Sequence, residues 1–391
     1  MLAFLGNVLR NVVSVFLLPT NYTNPNREDS MGVYNICFGK EMTGSELFVG
    51  IDVHKTSWHI TAVDQEQETI TSFSQPAGTD VLIARLEKAR EVGIHVNCVY
   101  ESGYFGYKLQ RTLESAGFPC IVTPPNMIPV QVGKKVKTDR LDSRKLAVFH
   151  CKGLLEKVWV PSKEMHDHRA LQRARDEVQK AKKALMVQIK AKYCEYGIAF
   201  PESHHWTKKL IASLAAMPLG SDSLEMVRDR QIMRLRGLME DVAFYDAKIK
   251  KLSGHHFYQE TVSRLLTIPG VGMITAMRLM LEIGDFHRFH SGDRLASYSG
   301  LTPSQYSSGD TVRMGHISRC GRPQIREILI EAAWVLTGRD AGMKQFFERI
   351  ALRRDRKRAI VAVARKLLTI MWSMATKGTN FLPRQVHPIS P

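Results

Sequence analysis

Four acidic residues, Asp52, Glu101, Asp139 and Asp142, stand in a pattern that one pocket could gather. Hard cations such as Mg²⁺ prefer oxygen ligands, and two of them about 3.5 to 4 Å apart can clamp the attacking and leaving oxygens of a phosphodiester. Asp52 ends the apolar run LFVGI, so its charge projects from a core strand, where it is costly without a cation or partner. Glu101 closes a second apolar run, VNCVYE. Asp139 and Asp142 lie three residues apart, on one face of a helix. Singly, each has an ordinary explanation. A strand-end Asp forms turns, and a DxxD at a helix start supplies an N-cap and a charge favoured by the helix dipole. The combined order, strand Asp, strand Glu, helix DxxD, is far more specific and marks the four as candidate catalytic carboxylates.

Two further stretches carry chemistry. LLTIPGVGMITA (265–276) has the form of a helix-hairpin-helix turn, in which Gly270 and Gly272 let backbone N–H groups approach a phosphate at the next helix start. The bland alternative is a tight turn that touches nothing. Farther on, GLTPSQYSSG leads into RMGHISRCGR. Hydroxyls and small residues alternate there with Arg and His, including Arg313 and Arg319, which suits either a plain phosphate-binding loop or one that holds a phosphodiester beside a nucleophile. The loop with Lys134, Lys135 and Lys137 adds basic charge just before the DxxD.

The elements that must position these residues can be read from periodicity. LFVGIDV, WHITAVD and TITSFSQ read as three strands in a meander; a helix from residue 79, the strand HVNCVYE, a helix near 107–116, the strand FPCIVT and a helix from Asp139 follow. The order βββαβαβα is that of the ribonuclease-H-like fold. The middle differs in texture. Residues 163–193 lack Gly and Pro and repeat apolar residues at three- and four-residue steps, and a second long helix at 224–252 follows breaks at Pro201 and at Pro218 to Gly220. The pair predicts an antiparallel helical hairpin or coiled-coil arm. Its Lys/Arg excess is either a solvated face or a nucleic-acid contact. From about residue 260 the pattern predicts a helix, a Gly-rich turn, a further helix, a Gly/Ser-rich loop and two final helices.

The expected class is therefore α/β plus all-α. Residues 1–46 read as a disordered leader or over-long start, 47–160 as a ribonuclease-H-like α/β domain, 161–258 as a coiled-coil connector, 259–376 as a mostly helical C-terminal domain with the helix-hairpin-helix-like turn, and 377–391 as a tail. At 391 residues the chain exceeds what one core usually serves. Lys and Arg number 55 against 38 Asp and Glu, a formal +17 that points to a polyanionic partner. Six scattered cysteines without a CxxC argue for a reducing cytoplasm and no structural zinc. The apolar first 18 residues are interrupted by Asn7, Arg10 and Asn11, so no membrane span is expected.

The strings GIDVHK (50–55), YESG (100–103), VKTDRLDSRKLA (136–147), IPGVG (268–272) and GLTPSQYSSG with GHISRCG together resemble the DEDD transposases of the "one-ten" insertion-sequence family, across nearly all of the chain beyond residue 47. The resemblance implies a RuvC-like domain whose Asp52, Glu101, Asp139 and Asp142 bind Mg²⁺ or Mn²⁺, a coiled-coil connector, and a transposase domain with a serine needed for strand exchange. That serine would be Ser308, directly before glycine, with Ser307 in reserve. It implies guidance by a structured non-coding RNA pairing with donor and target DNA, and dimers assembling into tetramers in the bacterial cytoplasm, near the nucleoid. Basic residues including Lys134, Lys135, Lys137, Arg313 and Arg319 would neutralise backbone phosphate. Departures are modest: Ser143 stands where many relatives have Ala, and Arg319 and Arg322 replace Lys and Asn. The rival readings are a junction-resolving endonuclease using metal-activated water, and an inactive nucleic-acid-binding scaffold.

Overall fold

Strand alternation decides which residues of the N-terminal region face which neighbour. The computed structural model describes residues 44–129, 138–201, 205–308, 311–318 and 321–383. The chain divides into two compact units between Val160 and Pro161.

In the first unit five strands pair in the order β3-β2-β1-β4-β5. They are β1 (Glu46–Val53), β2 (Ser57–Val63), β3 (Thr69–Pro76), β4 (His95–Glu101) and β5 (Cys120–Thr123). β2 runs antiparallel to both β1 and β3, while β4 is parallel to β1 and β5. Leu47, Val49 and Ile51 of β1 point to one face, joined by Trp58, Ile60, Val96, Cys98 and Tyr100, and there they meet α1 (Thr79–Glu91) and α2 (Lys108–Ser115) through Leu82, Leu86, Leu109 and Leu113. Each fully buried Leu or Ile in such a layer contributes about 1.5–3 kcal/mol before conformational entropy is subtracted.

The opposite face is narrower and carries the acidic residues. It is covered by α3 (Asp139–Cys151), whose Leu146 packs with Val99, Ile128 and Leu155. The close seat of α3 requires a glycine beneath it. A Cβ on Gly50 would lie 2.0 Å from the Ser143 carbonyl oxygen and 2.6 Å from the Ala147 nitrogen. Ser143 is buried there, its hydroxyl 2.8 Å from His59 Nδ1 and 2.7 Å from Thr61 Oγ1, so this hydroxyl ties α3 to β2.

The second unit begins with α4 (Lys163–Glu195), which runs antiparallel to α6 (Asp222–Leu252). Leu185, Ile189 and Tyr193 of α4 pack with Ile232 and Leu235 of α6 at one end, and Arg175 meets Asp246 at 2.8 Å toward the other. A short helix between them, α5 (Lys208–Ala216), was not expected from the breaks at Pro201 and Pro218, yet its Leu210, Ile211 and Leu214 complete that cluster. The rest of the unit surrounds one apolar core, built from α7 (Gln259–Leu265), α8 (Met273–Ile283), α9 (Gly292–Tyr298), α10 (Pro323–Arg339), α11 (Ala341–Arg353) and α12 (Arg356–Lys377). α12 is apolar enough to cross a membrane by length and composition, but its Ile360, Val363, Leu367, Leu368 and Met371 are buried in this core.

Two expectations need correction. The Gly/Ser-rich stretch is not a loop but an antiparallel ribbon, β6 (Pro303–Ser308) with β7 (Thr311–Ile317), pairing Tyr306 with Arg313 and Ser308 with Thr311. Small residues left no alternating apolar pattern in the sequence to mark the strands, and cross-strand pairing defines them. Three helices, not two, end the unit. Asp340 and Asp355 accept hydrogen bonds from the N–H groups of Met343 (2.7 Å) and Arg358 (2.8 Å), and each caps a new helix where the apolar pattern runs on.

Candidate functional site

The sheet register brings the first two acidic positions together. Ile51 pairs with Tyr100 between parallel β1 and β4, so Asp52 and Glu101 are the next residues on neighbouring strands and share the face under α3. On the other side Asp52 pairs with His59 of β2. The helix supplies the rest. Thr138, not Asp139, caps α3, its hydroxyl accepting from the Leu141 N–H at 3.3 Å. The capping explanation of Asp139 thus falls away, and Asp139 is available to turn toward Asp52.

It does so through a residue that the acidic pattern alone had missed. His54 Nε2 lies 3.2 Å from Asp52 Oδ2 and 3.5 Å from Asp139 Oδ1. One ligand atom from each of Asp52, His54 and Asp139 falls within 4.8 Å of the others. The sequence signal for His54 was its place two residues beyond Asp52, directly after the end of β1, and the turn that it closes with Ser57 brings its ring beside Asp52. Asp142, one turn along α3, adds its negative charge to the neighbourhood of Asp52. Glu101 is exposed, and its carboxylate lies outside the three-residue cluster.

Electrostatics mark the cluster as a place short of positive charge. Burial pushes the Asp52 carboxyl above its ordinary value; His54 pulls it back by charge and hydrogen bond, while Asp139 and Asp142 push it up. Burial also holds the His59 imidazole below its usual value despite the nearby Asp139 and Asp52. Two carboxylates and an imidazole converging on one point, with a third carboxylate behind them, are a donor set that fits a divalent cation.

The other expected residues that the structure describes lie in the second unit. Ser307 and Ser308 are exposed at the end of β6, where Ser307 accepts a hydrogen bond from Gln305 Nε2 at 2.8 Å. Arg313 is exposed on β7, opposite Tyr306. The base of this ribbon is held firmly: the Ser318 N–H donates to the Thr302 carbonyl at 2.8 Å and Arg326 Nη1 to the Ser299 carbonyl at 3.1 Å. Arg322, at the start of α10, reaches the buried Glu282 at 3.5 Å, and Glu282 also meets Arg173 of α4 at 3.3 Å. Arg322 therefore has a structural partner here.

The Gly-rich segment forms the turn from α7 to α8, and with Arg339 it lines an open depression. Gly270 takes φ +92°, and a Cβ there would lie 2.8 Å from Val335 Cβ, so packing on α10 is reason enough for that glycine. Gly272 is exposed with open space around it. Lys134, Lys135, Lys137 and Arg319 lie outside the described residues, as do nearly all of the expected leader and most of the tail.

Comparison with known proteins falls on the same two regions. A family model described as Transposase IS116/IS110/IS902 family matches residues 262–348, and a model for DEDD transposases of the IS110 type matches residues 49–194. The chain is 30% identical over 291 residues to the putative transposase y4qE of Sinorhizobium fredii, covering 74% of this chain and 71% of that protein. It is 26% identical over 344 residues to the transposase for insertion sequence element IS1111A of Coxiella burnetii, covering 85% and 90%. Against the transposase for IS1328 of Yersinia enterocolitica, identity is 26% over 343 residues, covering 85% and 98%.

Proposed function

The chain belongs to the IS110 family of insertion-sequence transposases, and from that premise we propose that it cuts and exchanges DNA strands with a RuvC-like carboxylate centre and a serine nucleophile, guided by a structured non-coding RNA. The observation that carries this reading is the meeting of Asp52 and Asp139 at one point beside Asp142, with the Asp52 carboxyl held above its ordinary value. The sheet order β3-β2-β1-β4-β5, with β2 antiparallel between β1 and β3, supports a ribonuclease-H-like domain over residues 47–160. The long antiparallel pair α4 and α6 supports a coiled-coil connector over 161–258, leaving 259–376 as the transposase C-terminal domain.

Asp52, Glu101, Asp139 and Asp142 would hold Mg²⁺ or Mn²⁺, which supplies positive charge at a scissile phosphate. The chain's own residues do the rest. The Ser308 oxygen attacks phosphorus, with Ser307 in reserve; a bridging DNA oxygen leaves as a hydroxyl, and the hydroxyl of a second strand later displaces the serine. Exposure of both serines on a ribbon with a braced base supports their access to a phosphodiester. Arg313, Arg319, Lys134, Lys135, Lys137 and the backbone at Gly270 and Gly272 contact phosphate, while base pairing with RNA reads sequence. The working unit is a dimer pairing into a tetramer, in which the carboxylate domain of one protomer serves the serine of another. It acts in the bacterial cytoplasm.

The test is to purify the protein from cells, sequence the co-purifying RNA and assay recombination between DNAs that match its loops. Wild type should recombine and form a covalent protein-DNA adduct; Ser308→Ala should lose both, and Asp139→Asn should lose cleavage by about a hundredfold or more. Cleavage that persists in Ser308→Ala and Ser307→Ala would instead make the protein a water-using resolvase. Activity unchanged in Asp139→Asn would remove the carboxylate centre from the chemistry.

A further inference from the structure

We infer that His54 is a direct nitrogen ligand of the metal, and that it turns an all-oxygen, Mg²⁺-type centre into a mixed one that prefers Mn²⁺. This rests on the reading of the Asp52 cluster as the metal centre and deepens it by naming a fifth residue and the ion it selects.

The geometry fits ligation. An ion with bonds of ~2.1 Å sets neighbouring ligand atoms of an octahedron ~3.0 Å apart. His54 Nε2 stands 3.2 Å from Asp52 Oδ2 and 3.5 Å from Asp139 Oδ1, so the three atoms need only small rotations to occupy adjacent corners. Their anchors are fixed independently of any ion. The His54 N–H donates to the Ser57 carbonyl at 3.2 Å, closing the tight turn between β1 and β2. Asp52 is held within the central strand, one residue before its end, and Asp139 opens a helix locked to the sheet at Gly50 and Ser143. The His54 side chain is 51% exposed, so the ring can adjust without disturbing the core.

Chemistry then decides between ions. Mg²⁺ is satisfied by carboxylates and water and gains little from an imidazole. Mn²⁺ takes the same oxygen ligands and, as the first and weakest member of the Irving–Williams series, binds an imidazole nitrogen more readily than Mg²⁺ does, which sets its preference against Mg²⁺ alone. A centre that presents both is biased toward Mn²⁺. The alternative for His54 is a cation that pairs with the two carboxylates, which an incoming ion would displace.

Pulsed electron paramagnetic resonance of Mn²⁺ bound to the full chain separates these cases, because a directly bound imidazole leaves a ¹⁴N coupling. Wild type should show the coupling, and His54→Ala should lose it while still binding Mn²⁺ about tenfold more weakly. Calorimetry should show that His54→Ala narrows the preference for Mn²⁺ over Mg²⁺, with His54→Asp restoring tight Mg²⁺ binding through oxygen. A coupling that is absent in wild type, or unchanged in His54→Ala, overturns the inference and leaves the carboxylate centre standing. Mn²⁺ binding unaffected by Asp52→Asn with Asp139→Asn overturns the metal centre itself. Thermal melts of each variant establish that it is folded.

Discussion

A carboxylate held above its ordinary pKa by burial and by like charges costs the fold stability at neutral pH. At Asp52 that cost has a sign that can be measured without any metal. Because the folded state keeps the Asp52 proton to higher pH than the unfolded state, the residue's contribution to stability is full below the ordinary value of 3.8 and is lost as pH rises through the higher folded value. Asparagine imitates the protonated form. In the metal-free protein, Asp52→Asn should therefore melt a few degrees above wild type at pH 7 and close to it below pH 3.8, the difference growing between them. A variant that melts below wild type at pH 7 would show that His54 balances the Asp52 charge fully. On the proposed metal centre the same variant should also be inactive, since it removes a charge that would hold the cation.

At the scale of elements, the centre depends on how closely α3 lies on the sheet. Gly50 sits under Ser143 and Ala147 with no room for a side chain, and the contact is with backbone, which cannot swing aside. Gly50→Ala should lift the start of α3, separating Asp139 and Asp142 from Asp52, at a cost of about 3 kcal/mol or more by the usual penalty of overpacking. Chemical denaturation would read the loss of stability, and Mn²⁺ titration the loss of the site. Ser143→Ala asks less. It removes the hydroxyl that His59 and Thr61 share; Thr61 keeps its bond to Ser72, while His59 loses the Ser143 contact.

Across the whole molecule, charge sets the partner. A formal +17 over 391 residues makes DNA affinity largely a matter of releasing counterions. Raising salt from about 50 to 200 mM should weaken DNA binding by about a hundredfold or more, with a linear slope of log affinity on log salt. A shallow slope would mean that few of the basic residues touch phosphate. Arg322 is not among the expected contributors, being committed to Glu282, and Arg313, exposed on β7, is.

Sequence by itself determined what periodicity and spacing can encode. The five strands, the helix bearing Asp139 and Asp142 and the two long helices each bury a regular face, so their apolar residues recur at fixed steps and were legible. Asp52 stood out as well, because a charge on an apolar strand conflicts with its surroundings, and the structure brings it within reach of Asp139 but leaves Glu101 outside that cluster. The ribbon at 303–317, the short helix at 208–216 and the break at Asp340 were not, since small residues, brief length and a pattern that runs through the cap leave no periodic mark. What tertiary structure alone decided is proximity. The register that sets Asp52 beside Glu101 and opposite His59, the Thr138 cap that frees Asp139, and the approach of His54 to both carboxylates arise where three separate segments are packed together. Distances between segments far apart in the chain follow from how a helix seats on a sheet, and no local spacing carries that information.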